Sequence, residues 1–250
     1  MKHLNKSVVT GVNSGLGKYI FENWAKSSGE EEPVGLNRSN SNSWLDSQES
    51  HDHYNSIIHC AFNSSKNVED YKSYIEDNIF MTLKLCDLKY NKFVYISTVD
   101  VYSEEENYYN MTKKVAESIV ISRSQKHCLV LRCSAILGPT MRPNSLTRII
   151  NDEDAQLSLS EDSRFNYVLQ EDILKFIKES EKNNCYGVVD FVSEEDVTLG
   201  DISKKYNKSP KFGSYKYESV GLNYTLEKPS RLSPYYKKTS EQVIEEFING

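Results

Sequence analysis

The chain has 250 residues, a mass of 28.8 kDa, a net charge of −6 at pH 7 and 38% hydrophobic residues. That length buries one sizeable core and leaves room for at most a small appendage. No Lys/Arg-rich run offers an electrostatic footprint for nucleic acid, and no apolar run approaches the ~18 residues a membrane span needs.

Cys60, Cys86, Cys128, Cys133 and Cys185 form no C-x-x-C pair and have no His nearby at metal spacing. They read as buried thiols of a reducing compartment, so neither a metal site nor a disulfide framework is expected. The first strand pattern starts too soon after Met1 for a signal peptide, which points to the cytoplasm.

Ser7 to Thr10 is a β-branched run that leads into Gly11-Val12-Asn13-Ser14-Gly15-Leu16-Gly17, after which Lys18 to Lys26 has helical spacing. A strand, a glycine-rich turn and a helix in that order form the first half of a dinucleotide-binding unit. Glycine permits the tight turn and lets backbone approach a pyrophosphate, which rests on the helix N-terminus. The next strand, Pro33 to Leu36, ends in Asn37-Arg38-Ser39. An acid at such a tip bonds the ribose 2′-hydroxyl of NAD, whereas an Arg suits the 2′-phosphate of NADP. With no acid on the tip and Arg38 present, NADP is expected and NAD less so.

Asn40 to Ser56 is polar and too short for a full helix, strand and helix, so this part of the unit reads as trimmed, with Asp46 after Trp44-Leu45 marking a remnant third strand. Asn55 to Cys60 is a buried strand whose His59 reads as a core residue, and Val68 to Leu88 is a long helical pattern.

Lys92 to Glu117 carries the chemistry. Phe93 to Ile96 is a strand ending in the hydroxyl pair Ser97 and Thr98; a short acidic loop follows, then a helix opening near Tyr108. Tyr109 and Lys113 are four apart and share a helix face. A neighbouring ammonium is expected to lower the phenol's pKa from about 10 towards the range where a proton shuttle works. With 17 Tyr and 23 Lys, one or two Tyr-x-x-x-Lys pairs arise by chance. The other pair, Tyr224 and Lys228, lacks a hydroxyl-ended strand before it and has Pro229 after it.

Further on, Cys128 to Cys133 reads as a buried strand, Asn144 to Ile150 as a short helix and Tyr186 to Val192 as another strand. Thr239-Ser240-Glu241-Gln242 has the signature of a helix start.

Ile96-Ser97-Thr98-Val99-Asp100-Val101-Tyr102, with Tyr109 and Lys113, resembles the short-chain dehydrogenase/reductase superfamily, and within it the extended, NAD-dependent epimerase/dehydratase-like branch that acts on nucleotide sugars. The G-x-x-x-G-x-G spacing departs from that branch's usual G-x-x-G-x-x-G and is closer to the shorter-chain branch. The resemblance runs from about residue 7 to 205. It implies a Rossmann doubly wound parallel α/β sheet over residues 1–140 plus returning segments, with 141–250 mainly a small substrate-binding part rather than an independent domain.

The same resemblance implies that Thr98, Tyr109 and Lys113 form a catalytic triad, Lys113 also holding the nicotinamide ribose. Besides these two and the residues Gly11, Asn13, Ser14, Gly15, Leu16, Gly17, Asn37, Arg38 and Ser39, it assigns cofactor contacts to Asp46 (adenine) and to Cys60-Ala61-Phe62, which resembles a His-x-Ala-Ala segment with His59. It also assigns Cys133, Ser134 and Ile136 of the Leu131-Arg132 to Gly138-Pro139 loop, and Asn78 as support for the active Lys. Substrate contacts fall to Thr98, Val99, Asp100 and Arg164, the last before the segment Asn166 to Ile173. Relatives commonly form homodimers through the helices equivalent to 68–88 and 108–121.

Dehydratases of the branch carry Asp-Glu where this chain has Val99-Asp100, which argues against elimination. The expected function is therefore NADPH-dependent reduction of a keto group on a nucleotide-activated 4-keto-6-deoxy sugar. A nucleotide-sugar epimerase is the alternative, and a non-catalytic NADP-binding regulator of the same fold a second.

Overall fold

The computed structural model describes residues 6–28, 31–63, 70–218 and 237–250. The Tyr224, Lys228 pair and residues 68 and 69 of the long helical pattern lie outside them.

The chain opens with β1 (Val8–Thr10), α1 (Gly15–Ser28), β2 (Val34–Leu36), α2 (Ser41–Leu45) and β3 (His53–His59). Then come α3 (Tyr71–Tyr74) and α4 (Met81–Cys86), joined by a π-helical stretch over Ile75–Phe80, followed by β4 (Lys89–Thr98) and α5 (Tyr108–Ser124). After β5 (Cys128–Cys133), β6 (Ala135–Leu137) and α6 (Ser145–Asn151) follow β7 (Arg164–Phe165), β8 (Tyr167–Leu169) and α7 (Gln170–Lys182). The last elements are β9 (Gly187–Phe191), β10 (Val197–Thr198), α8 (Leu199–Lys205) and α9 (Ser240–Asn249).

One parallel sheet has the strand order β2-β1-β3-β4-β5-β9. Because successive side chains of a strand point to opposite faces, its apolar runs feed two cores. Val9, Ile58, Val94, Ile96, Leu129 and Leu131 pack under α1 and α7 with Ile20, Trp24 and Ile177. Val8, Ile57, Phe93, Tyr95 and Val130 pack under α4 and α5 with Leu85, Ala116 and Val120. A third cluster, including Leu137, Leu146, Tyr167, Leu199 and Val243, holds α6, α8 and α9 around the two-stranded pair β6 and β8.

The strand order reverses between β1 and β3, which places a topological switch point beside the Gly11–Gly17 loop. Crevices at such points are where this class of sheet binds ligands.

Three expectations need correction. Residues 40–52 are trimmed as expected, but Asp46 marks no strand: it caps the carboxyl end of α2, because Asn37 and Asn40 start a helix in which Trp44 packs against Tyr54. The long helical pattern is not uniform either; its centre winds as a π-helix, a form concentrated at functional sites. β4 is also longer than its apolar run. Lys89 to Lys92 join it through backbone pairing to β3, which side-chain polarity does not report.

Candidate active site

Two cavities open along the carboxyl ends of the strands, and Ser14, Phe62 and Arg142 line both, so they form one cleft. The first, of about 320 Å³, is walled by Gly11, Asn13, Asn37, Arg38 and Ala61 with Asp77 opposite. The second, of about 360 Å³, brings together Gly15, Leu16, Gly17, Cys60, Thr98, Tyr109, Lys113, Cys133, Ser134 and Ile136.

The glycine-rich turn is shaped for close approach. Gly11 (φ +76°) leaves no room for a side chain, since a Cβ would sit 3.0 Å from the Ala61 backbone, and one on Gly17 would sit 2.5 Å from the Gly11 carbonyl. Gly15 (φ +61°) differs: no atom lies within 4 Å of where its Cβ would be, which leaves open space against the backbone at the start of α1. The Thr10 hydroxyl accepts from the Cys60 and Ala61 amides at 3.1 and 2.9 Å, so its proton goes to His59 Nδ1 at 2.8 Å. His59 Nε2 then donates to Thr82. Burial holds the ring neutral with a pKa of about 3, and His59 is the core residue its sequence context implies.

The start of α5 is set by a reciprocal cap: Asn107 and Asn110 each accept the other's backbone N–H, at 3.0 and 2.9 Å. This places Tyr109 in the first turn and Lys113 one turn deeper. Thr98, at the end of β4, accepts from the Asp100 amide at 3.2 Å. The Tyr109 phenol shares the cavity wall with this hydroxyl, and the Tyr109 ring meets Phe62 edge-on at 4.7 Å.

Lys113 is 4% exposed. It donates to the Ile96 carbonyl at 2.6 Å, and its ammonium lies over Phe62 and Tyr95, at 4.1 and 4.8 Å from the ring centroids. Burial lowers its pKa to about 7, an effect opposed by the nearby Cys60 and Cys133 thiols and Glu117.

The expected depression of the Tyr109 pKa by Lys113 is not found. Burial raises it well above the ordinary phenol value, the Asp100 carboxylate raises it further, and only the Thr98 hydrogen bond opposes them. Asp100 is itself raised by burial, against hydrogen bonds from Tyr217 and Thr98. Behind this wall a charged network braces β4, β5 and β9. Ser97 donates to Glu117 at 2.5 Å, Arg132 grips Glu117 at 2.7 to 3.2 Å, and Tyr102 links Arg132 to Asp190.

Several expected site residues stand outside the cleft. Asp46 lines neither cavity. Asn78 is buried as a brace, bonded to Asn63 and Thr112, and makes no wall. Ser39 turns back onto Asn37, and Val99 packs into the interior. Asp100 sits one layer behind Thr98 and Tyr109. Arg164 is exposed on the short β7–β10 ribbon, away from both cavities, because β7 pairs Phe165 inward against Tyr167 and Tyr217.

The motifs missed other residues that the fold brings in. Asp77 reaches the β2 tip from the π-helical stretch, and Arg142 stands just beyond Gly138-Pro139. Tyr217 donates to Asp100 at 3.1 Å across 117 positions. No local signal marks Asp77 or Tyr217; Arg142 is marked only by following the Gly-Pro loop.

The model of the NAD dependent epimerase/dehydratase family matches residues 7–161, more than half of the chain. The chain belongs to that family. It is accordingly an NAD(P)-dependent enzyme of the short-chain dehydrogenase/reductase type, and its Rossmann sheet is the family's fold.

Solved structures similar to this family member include the UDP-glucuronic acid 4-epimerase of Bacillus cereus in complex with UDP-glucuronic acid and NAD (18% identity, 98% of each chain, TM-score 0.73). A dTDP-4-dehydrorhamnose reductase from Clostridium acetobutylicum aligns at 18% identity over 98% of each chain with a TM-score of 0.75. The ADP-L-glycero-D-manno-heptose-6-epimerase of Helicobacter pylori aligns at 13% over 99% of this chain and 96% of that one, with a TM-score of 0.78. No curated protein matches the sequence. Among the described residues no helix is long and apolar enough to cross a membrane.

The cleft fits the dinucleotide that the family's name implies. The open space at Gly15 would admit a pyrophosphate against the backbone. In the wall of the inner cavity, Ser134 Oγ and Gln170 Nε2 are buried with no hydrogen-bond partner among the described residues, as groups awaiting a polar ligand are.

Proposed function

We propose that the protein is an NADPH-dependent reductase of a keto group on a nucleotide-activated 4-keto-6-deoxy sugar. The observation that carries this reading is the convergence of Thr98, Tyr109 and Lys113 on the wall that also holds Gly15 and Ser134. A dinucleotide held in this cleft would supply the hydride for reduction of the carbonyl. Tyr109, kept protonated by its desolvated setting, donates its phenolic proton to the oxygen as negative charge develops there. Thr98, on the same wall, donates its one hydroxyl proton to the same oxygen. Lys113, on the same wall, would hold the ribose end of the bound dinucleotide. Arg38, which lines the outer cavity at a β2 tip with no acid of its own in sequence, supports use of NADPH, in competition with its ion pair to Asp77.

Epimerisation is the second reading, favoured by the similarity to two nucleotide-sugar epimerases, one of them holding NAD. One assay separates them. Purified protein is mixed with NADPH and a panel of 4-keto-6-deoxy nucleotide sugars, and nicotinamide absorbance is followed. Stoichiometric loss of absorbance with product supports reduction; product without net oxidation supports epimerisation. Tight cofactor binding with neither supports a regulator. Tyr109→Phe is expected to lower the rate by about 10²- to 10⁴-fold while leaving dinucleotide binding intact.

The five thiols are all free, and a cytoplasmic setting is part of the proposal. A homodimer is part of the proposal. Tyr108, Met111 and Val115 on α5, with Tyr71 and Ile75 beside them, leave an apolar stripe exposed on adjacent helices. Light scattering is expected to give twice the chain mass.

A further inference from the structure

Arg38 is not a free cation awaiting a phosphate. Its Nη2 donates to Asp77 Oδ2 at 2.6 Å, and both residues line the outer cavity. The two partners are held very differently. The Arg38 side chain is 76% exposed at the end of a strand, whereas the Asp77 side chain is 29% exposed and accepts at 2.9 Å from Asn63 Nδ2. Asn63 is in turn locked by its amide to Asn78 Oδ1 at 2.7 Å, and Asn78 to Thr112 on α5. The carboxylate is therefore anchored to the core and the guanidinium is the movable member.

A 2′-phosphate entering here must draw Arg38 off a fixed anion and then lie near that anion. A 2′-hydroxyl meets neither cost, and a carboxylate can accept from it. The acid that the β2 tip lacks in sequence is thus delivered in space, 39 residues later.

We propose that Asp77 is the residue that sets cofactor selectivity: it competes with the 2′-phosphate for Arg38 and so restrains the preference for NADPH over NADH. This rests on the reading that the cleft holds a nicotinamide dinucleotide. It goes beyond that reading by assigning the discrimination to an Arg38–Asp77 pair rather than to the β2 tip alone.

The test is calorimetric binding of NADPH and of NADH, without substrate, to the wild-type chain and to D77N, D77E, R38Q and the D77N/R38Q double variant. D77N keeps an oxygen for Asn63 and removes only the charge. The wild-type protein is expected to bind the two dinucleotides within about tenfold of each other. D77N is expected to tighten NADPH at least tenfold and to leave NADH within about threefold, D77E to stay near wild type, and the double variant to lose the gain.

If D77N leaves NADPH binding unchanged or weakens it, or if the gain persists without Arg38, the role of Asp77 is refuted while the dinucleotide reading stands. If the wild-type chain binds neither dinucleotide, the reading beneath it fails and takes this inference with it.

Discussion

Replacing Lys113 with Met is expected to make the protein more stable near neutral pH while abolishing its chemistry. The ammonium is buried, with the Ile96 carbonyl as its hydrogen-bond partner, and its pKa falls from 10.5 to about 7. The folded protein therefore holds this proton less tightly than the unfolded chain does. Below pH 7 both states are charged and the full penalty applies; between about pH 7 and 10.5 the unfolded chain binds more protons, so wild-type stability rises with pH. At about 1.4 kcal/mol for each tenfold, the fall from 10.5 to about 7 makes that penalty on the order of 5 kcal/mol.

Met removes the penalty but loses the bond to Ile96 and the ring contacts, together worth about 2 kcal/mol. The net gain is about 2 to 3 kcal/mol at pH 6, or roughly 5 to 10 °C in Tm for a chain of this size. By pH 9.5 the wild-type protein has recovered about 3 kcal/mol of the penalty, so the advantage of the variant vanishes. Urea unfolding of both proteins at pH 6, 7.5, 8.5 and 9.5 measures this. Parallel stability curves, or a variant less stable at pH 6, would refute the claim that Lys113 is charged at a cost.

Asp100→Asn removes the carboxylate that raises the Tyr109 pKa, so the alkaline limit of the rate profile is expected to move to lower pH; an unmoved limit would show that Asp100 does not act on the phenol. Glu117→Ala strands the partly buried Arg132 guanidinium and is expected to cost about 3 to 5 kcal/mol in denaturant unfolding, with Glu117→Gln costing less. Gly15→Ala projects a methyl into open space from a backbone at positive φ. It should destabilise by about 1 kcal/mol, while dinucleotide affinity measured by calorimetry falls at least tenfold.

The main elements around the cleft were legible because their signals are local. The run Phe93 to Ile96 alternates between two cores, and the helix opens at Tyr108 where its pattern begins. Thr239 and Gln242 form the helix-start pair that their spacing predicts. Asp46 misled for the opposite reason. A short polar segment carries too little apolar periodicity to separate a strand from a helix, and tertiary contacts of Trp44 settled it. The place of Arg164 before Asn166 to Ile173 implies a substrate contact, yet strand pairing turns that position outward.

By itself the sequence determined the strand, glycine turn and helix at the start, the hydroxyl-ended strand before the second helix and the four-residue spacing of Tyr109 and Lys113, all of which depend on neighbours within a few positions. Only the tertiary structure decided which charge faces which. Asp77 reaches Arg38 and Tyr217 reaches Asp100 across 39 and 117 positions, and burial rather than Lys113 governs the Tyr109 proton. Electrostatic energies depend on distance through space and on exclusion of water, and the linear chain encodes these only once it has folded.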